Sequence, residues 1–141
     1  MKDSYTKPKE VVSPKISLSN LVPIIDRGEW EYSLALLDWD RNPRVAIRWN
    51  GGTEDGKIHP GNPQSRGLPT WFIVPDEYHV AVLQEALSGK LGGGDIDANA
   101  AKEAIQQFLE KKGATQKTPD NAELEKTIIK LINKLKQEGK I

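Results

Sequence analysis

The feature of this sequence that most constrains its fold is the uneven distribution of residue types along the chain. All four tryptophans lie between positions 30 and 71, and aromatic residues favour strands. The last third is rich in Ala, Lys, Glu, Gln, Leu and Ile, which are compatible with helices. Strands that precede helices in this way are typical of the α+β class, in which helix covers one face of an antiparallel sheet.

Two segments after position 30 alternate in the way that half-buried strands do. Every second residue from Trp30 to Leu36 is large and apolar, and segment 44–49 repeats the pattern with arginines on its other face. The turn-forming run 40–43 separates them. The pattern predicts an antiparallel pair that is apolar on one face and polar on the other. A continuous apolar run at 70–74 predicts a third, central strand that is covered on both faces.

The remaining segments read as one long loop and three helices. Gly and Pro are frequent between positions 50 and 69, which predicts a loop. Asp76 is the expected N-cap of a helix that ends at Gly89, and the glycine run 92–94 links it to two more helices. The predicted fold is therefore α+β, with an antiparallel sheet of three to five strands, a packing helix and then two C-terminal helices.

Length and composition bound the organisation of the chain. We predict a flexible N-terminal arm at 1–14, a sheet-plus-helix domain at 15–91 and a helical C-terminal extension at 95–141. The absence of cysteine excludes disulfides, a thiolate nucleophile and cysteine-ligated metals, and it fits a reducing, cytoplasmic location. No apolar run approaches the roughly 20 residues that a membrane helix needs, so we expect no membrane association.

The layout of residues 30–88 resembles a known type of domain. Two Trp-containing strands are followed by the strand-to-helix junction Thr70-Trp71-Phe72-Ile73-Val74-Pro75-Asp76-Glu77-Tyr78. This arrangement is similar to the single-stranded-DNA-binding domain of the positive-cofactor-four type of transcriptional coactivator. The resemblance implies a homodimer that binds single-stranded nucleic acid on its sheet, in a small bacterial-type protein with a role related to transcription.

The residues themselves also suggest a nucleic-acid site. Proteins that bind single strands combine basic side chains for the phosphates with exposed aromatic side chains on which bases stack. The opposing interpretation is that the arginines are ordinary solvated residues and that the tryptophans belong to the core. The candidate nucleic-acid-binding residues are Arg44, Arg48, Trp39, Trp49, Lys57 and Arg66.

The charge distribution supports a second hypothesis, a protein-interaction module. The chain is neutral overall, but segment 71–110 has two lysines against seven acidic residues, and segment 111–141 has eight lysines against four. The last helix would dimerise or dock through an apolar stripe, while its basic side would be a solvated lysine face or would contact an acidic surface. The stripe consists of Leu124, Ile128, Leu131 and Leu135.

Enzymatic interpretations find little support in the sequence. The glycine-rich segment 61–67 matches neither the Walker pattern nor the Rossmann fingerprint, and no Gly-x-Ser-x-Gly elbow occurs. The two histidines, His59 and His79, show no metal-ligand spacing. We therefore expect no enzyme activity, metal or cofactor, and keep a site formed by His59 and the 61–67 loop as the weaker alternative.

Overall fold

A four-stranded antiparallel sheet forms the frame of the molecule. The computed structural model describes residues 4–115 and 119–139. The strands are β1 (Leu18–Asp26), β2 (Tyr32–Trp39), β3 (Asn42–Trp49), β4 (Gly52–Glu54), β5 (Lys57–His59), β6 (Gln64–Ser65), β7 (Leu68–Pro69) and β8 (Phe72–Ile73). A 3-10 helix at Pro8–Glu10 precedes them, and the helices α1 (Asp76–Leu87), α2 (Ala98–Thr115) and α3 (Pro119–Gln137) follow. The predicted α+β class and the predicted order of elements are confirmed.

The sheet has the strand order β1-β2-β3-β8, with antiparallel pairing throughout. The β2–β3 hairpin turns at Asp40 and Arg41, which have positive φ values of 50° and 71°. Two left-handed residues in succession form the hairpin turn whose twist matches that of the flanking strands. The register then runs without a break from Trp39 opposite Asn42 to Tyr32 opposite Trp49.

Two details of the predicted strands are wrong. β2 begins at Tyr32, because Trp30 lies in a turn with φ 62° and so leaves the strand. The run 70–74 is not a central strand. It contributes only the short edge strand β8, and Phe72 in that strand is 59% exposed.

Apolar residues pack on both faces of the sheet, so the predicted polar face does not exist. On one face, Leu34, Leu36 and Val45 form a first core with residues of the three helices. On the other face, Ala35 and Ala46 lie in a second core. The other buried members of that second core are Val11, Leu18, Leu37 and Trp71.

The segment before β1 is part of this second core. Val11 is fully buried, and its carbonyl oxygen accepts a hydrogen bond of 2.8 Å from Nε1 of Trp71. The proposed division of the chain at 1–14, 15–91 and 95–141 stays a prediction. The structure adds that residues from all three segments contribute to the two cores.

The three helices pack on the first face of the sheet. The N-cap of α1 is Pro75, which makes no side-chain cap hydrogen bond, so the predicted N-cap Asp76 is instead the first residue of the helix. Gly89, with φ 92°, follows the last turn. α2 and α3 contribute buried residues to the first core, which are Ala101, Ile105, Phe108, Leu109, Ile128 and Ile132. Within the described ranges, no helix is long and apolar enough to span a membrane.

Candidate functional site

An open groove remains where the helices stop covering the first face of the sheet. Tyr32 lies opposite Trp49 in the β2–β3 ladder, and Ile47 lies opposite Phe72 in the β3–β8 ladder. These side chains belong to the same sheet face as the first core, because residues on one face alternate along each strand. The groove has a volume of about 360 Å³. We call it the aromatic groove, and it is lined by Tyr32, Ile47, Arg48, Trp49, Asn62, Pro63 and Phe72.

The two aromatic side chains at the rim of the groove are unusually exposed for their size. Trp49 is 57% exposed and Phe72 is 59% exposed, while Tyr32 and Ile47 at the base are half-buried. Leaving large apolar side chains in water forgoes about 25 cal/mol for each Å² that burial would remove. A contiguous apolar patch of this kind marks an interaction surface more often than a single exposed residue does.

The long loop between β3 and β8 forms one wall of the groove. The backbones of Trp49 and Asn62 exchange two hydrogen bonds, of 2.8 and 3.1 Å, and the amide of Thr70 donates to the carbonyl of Pro63 at 3.0 Å. The loop also contains two short hairpins, β4–β5 and β6–β7. The conformation of this loop is therefore fixed by its own backbone hydrogen bonds.

Arg48 stabilises this loop through hydrogen bonds from its buried side chain. Its side chain is 2% exposed, and its guanidinium donates to the carbonyl of Thr70 at 2.6 Å and to the carbonyl of Pro60. Burial lowers the pKa of Arg48 to about 10, so the group stays charged at neutral pH. The expectation that Arg48 lies on a solvated face beside Arg44 is therefore wrong. Its donors bind backbone carbonyls in the middle and near the end of the loop.

Arg44 is also engaged within the chain. Its guanidinium forms an ion pair with the carboxylate of Asp76 at the start of α1. Nζ of Lys112 in α2 donates a hydrogen bond to the same carboxylate oxygen at 3.1 Å. Lys112 is almost fully buried. Asp76 of α1 thus connects β3, through Arg44, with α2, through Lys112.

The other predicted site residues lie at different places. Trp39 is half-buried at the far end of β2 and packs against the second core. Lys57 is exposed in β5, and Arg66 is exposed in the turn between β6 and β7 with φ 52°. Of the six predicted residues, only Trp49 presents an exposed side chain to the aromatic groove.

Two of the three aromatic groove residues, Phe72 and Tyr32, were absent from the sequence-based site. Phe72 was interpreted as part of a central strand, because a functional apolar surface has the same composition as a core. Tyr32 was placed correctly on the apolar face of its strand. The available signal was its even spacing with Leu34 and Leu36, together with Trp49 on the partner strand.

A buried polar network holds the turn that precedes β2. The carboxylate of Asp26 accepts hydrogen bonds from the hydroxyl of Tyr5 at 2.7 Å, the amide of Gly28 at 2.9 Å and the side chain of Asn50 at 3.2 Å. Asn50 also donates to the carbonyl of Gly28 and accepts from Ser33. Satisfied buried networks of this kind fix one backbone arrangement.

His79 is a buried titratable residue away from the groove. It is 1% exposed, and its ring meets the ring of Phe108 edge-on, with centroids 5.5 Å apart. Burial and the neighbouring charge of Lys112 lower the pKa of His79. Among the residues that the structure describes, no group of three or more His, Asp or Glu side chains is placed to hold a metal ion.

The fold and the groove together define an α+β domain with an open aromatic surface at one end of its sheet. Comparison of the chain with protein-family models, with curated proteins and with solved structures gives no match.

Proposed function

We propose that the protein binds single-stranded nucleic acid in the aromatic groove. The observation that carries the proposal is the pair of exposed side chains, Trp49 and Phe72, above Tyr32 and Ile47 on one sheet face. Stacking of a base on an aromatic side chain contributes about 1–3 kcal/mol and tolerates any base. The groove therefore suits unpaired bases better than a duplex, whose bases are already stacked.

The cations available to the phosphates are fewer than the sequence suggested. Arg44 and Arg48 are engaged inside the protein, so we assign phosphate contacts to Lys57 and Arg66, which are exposed on the hairpins of the loop wall. Each neutralised phosphate of a single strand contributes about −0.7 to the slope of log affinity against log salt. We therefore expect a shallow slope of about −1.4 for two such contacts.

Fluorescence anisotropy with a labelled oligodeoxythymidylate tests the proposal. Trp49→Ala and Phe72→Ala should each weaken binding by roughly 5- to 150-fold, the equivalent of one lost stacking contact. Tyr78→Ala is the matched control, because Tyr78 is 57% exposed on α1 and does not line the groove. Absence of binding at low salt, or equal affinity of all variants, would refute the proposal.

A second candidate function is binding of an apolar peptide in the same groove. The observation that favours it is the lack of an exposed charge in the lining, since the one charged lining residue, Arg48, is buried. Affinity for a peptide held by apolar side chains would not fall with salt, whereas affinity for nucleic acid should. The salt titration therefore separates the two candidates.

The C-terminal stripe is a weaker interface than the groove. Ile128 is buried in the first core and Leu131 packs against that core, while the side chain of Leu124 lies outside the described residues. A partner that docked on Ile128 would have to displace this packing. For the protein-interaction hypothesis we therefore propose the aromatic groove, and no longer the last helix, as the binding surface.

The proposal retains the homodimer that the family resemblance implies and a cytoplasmic location, which rests on the cysteine-free sequence. Sedimentation at micromolar concentration would measure the assembly against the chain mass of 15.7 kDa. A mass of one chain, with and without oligonucleotide, would remove the dimer from the proposal.

A further inference from the structure

A second exposed aromatic pair lies next to the aromatic groove, one step further along the β2–β3 hairpin. Trp30 is 50% exposed, and the exposed ring of His59 lies 6.1 Å from it between centroids, tilted by 43°. Neither residue lines the groove itself. We refer to these two residues as the Trp30–His59 pair.

The backbone connects this pair directly to the groove. Beyond the facing residues Tyr32 and Trp49, the amide of Asn50 donates to the carbonyl of Glu31, and the amide of Trp30 donates to the carbonyl of Gly51 at 2.7 Å. Trp30 therefore lies two residues before Tyr32, in the turn that continues the hairpin past the groove.

The protein holds Trp30 in place against a conformational cost. A φ of 62° is rare for a bulky residue, and left-handed backbone is unfavourable for every residue with a Cβ. The indole lies against Gly52, where an added Cβ would come within 2.6 Å of Nε1. The carboxylate of Glu29 accepts a 2.7 Å hydrogen bond from the amide of Thr53 and closes the turn. Backbone strain that is held by its surroundings in this way concentrates at functional sites.

We propose that the Trp30–His59 pair is a second stacking platform, which takes the next base of the strand that is bound in the aromatic groove. This inference rests on the proposed nucleic-acid function. It extends the site from the groove to the turn that covers Gly51 and Gly52. Both glycines are buried, because the backbone of the loop and the indole of Trp30 pack where their side chains would lie. The groove takes a base on each of its two exposed rim side chains, Trp49 and Phe72. A dinucleotide therefore fills the groove alone, and only a longer strand also reaches the Trp30–His59 pair.

The test compares a labelled deoxythymidine dinucleotide with an octanucleotide, using the full chain and the variant Trp30→Asn. Asn removes the ring but tolerates left-handed backbone, so the variant should unfold at the same temperature as the unchanged protein or at a higher one. We expect its Kd for the octanucleotide to rise about 10-fold and its Kd for the dinucleotide to stay the same. Gly52→Ala, which would displace the indole, should reproduce this length-dependent loss.

The other outcomes separate this inference from the proposed function. If the unchanged protein binds the octanucleotide and Trp30→Asn binds it equally well, the second platform is refuted and the groove stands. If Trp30→Asn weakens both oligonucleotides equally, Trp30 supports the groove and takes no base of its own, which also refutes the platform. If the unchanged protein binds neither oligonucleotide at low salt, the proposed function itself fails.

Discussion

His79 shows how one residue couples the first core to pH. The ring is buried beside Phe108, and the charges around it are those of Lys112, Asp76 and Arg44. Burial has the largest effect and disfavours the protonated ring, and Lys112 adds to it. The pKa of His79 is therefore lowered in the folded state, and the ring is neutral there at pH 7.

This lowered pKa predicts a loss of stability in acid. Below the ordinary histidine pKa of about 6.5 the unfolded chain binds a proton that the folded chain does not, so the free energy of unfolding falls as pH falls. One proton contributes a slope of at most about 1.4 kcal/mol per pH unit. Denaturant unfolding of the unchanged protein and of His79→Leu between pH 7.5 and about 5 measures it.

The two histidines provide a matched comparison. His79→Leu should remove the acid-dependent part of the slope, because the leucine side chain does not titrate. His59→Leu changes an exposed residue and should retain that slope. Identical pH profiles for the unchanged protein and His79→Leu would contradict the assignment.

Arg48 is the second residue whose position departs from its sequence pattern. Alternation places it on the same face as Ala46, and that face is covered by the N-terminal segment and Trp71. Burying a cation is costly unless its donors are paired. The carbonyls of Thr70 and Pro60 accept from the two terminal nitrogens of the guanidinium, while Nε has no hydrogen-bond partner among the described residues. The sequence showed an arginine at this position, but it did not show that loop carbonyls would accept its hydrogen bonds.

At the scale of the element, the loop between β3 and β8 depends on glycine where Arg48 meets it. Gly61 has φ 78°, and an added Cβ would overlap the carbonyl oxygen of Trp49 and lie 2.6 Å from the guanidinium of Arg48. Gly67 has nearly the same φ of 79°, but no atom lies within 4 Å of an added Cβ. The two positions differ in packing and share their backbone conformation.

This pair separates steric overlap from backbone strain. Gly67→Ala should cost about 1 kcal/mol of the free energy of unfolding, the strain of left-handed alanine alone. Gly61→Ala should cost at least about 3 kcal/mol, because strain and overlap with fixed backbone add. Chemical denaturation of both variants measures the difference, and equal costs would show that the loop moves aside at Gly61.

The strands and helices were predictable because their periodicity follows from their own residues. The alternation at 44–49 and the stripe of α1 both depend on local geometry. What covers the second sheet face was not predictable, because the covering residue Val11 belongs to a segment without any pattern. The small size of Ser33, Ala35 and Ala46 indicated only that another segment could pack closely on that face.

The site was harder to predict than the fold for a related reason. The run 71–74 is apolar because successive side chains serve different surfaces, with Trp71 in the second core and Phe72 at the groove. Composition alone cannot separate these two uses. The exposed face of β8 follows from where the helices end, which is a property of tertiary packing.

At the scale of the whole molecule, the neutral net charge combines an acidic middle with a basic end. The structure joins them at the partly buried pair of Lys112 and Asp76, while Lys126, Lys130 and Lys134 on α3 are exposed. Packing, more than charge, therefore attaches the last helix to the molecule. The residues that make this attachment are Ile128 and Ile132.

This attachment predicts that the last helix stabilises the whole domain. Ile128 is 1% exposed in the core that also contains Leu34 and Val45, so Ile128→Ala should lower the free energy of unfolding by about 2–5 kcal/mol. Ile16→Ala removes the same atoms from a side chain that is 94% exposed and should change it by less than about 0.5 kcal/mol. Tryptophan fluorescence reports the sheet and circular dichroism reports the helices, and in Ile128→Ala both should unfold in one shifted transition. If only the helical signal moves to lower denaturant, the C-terminal extension unfolds by itself and the first core does not depend on it.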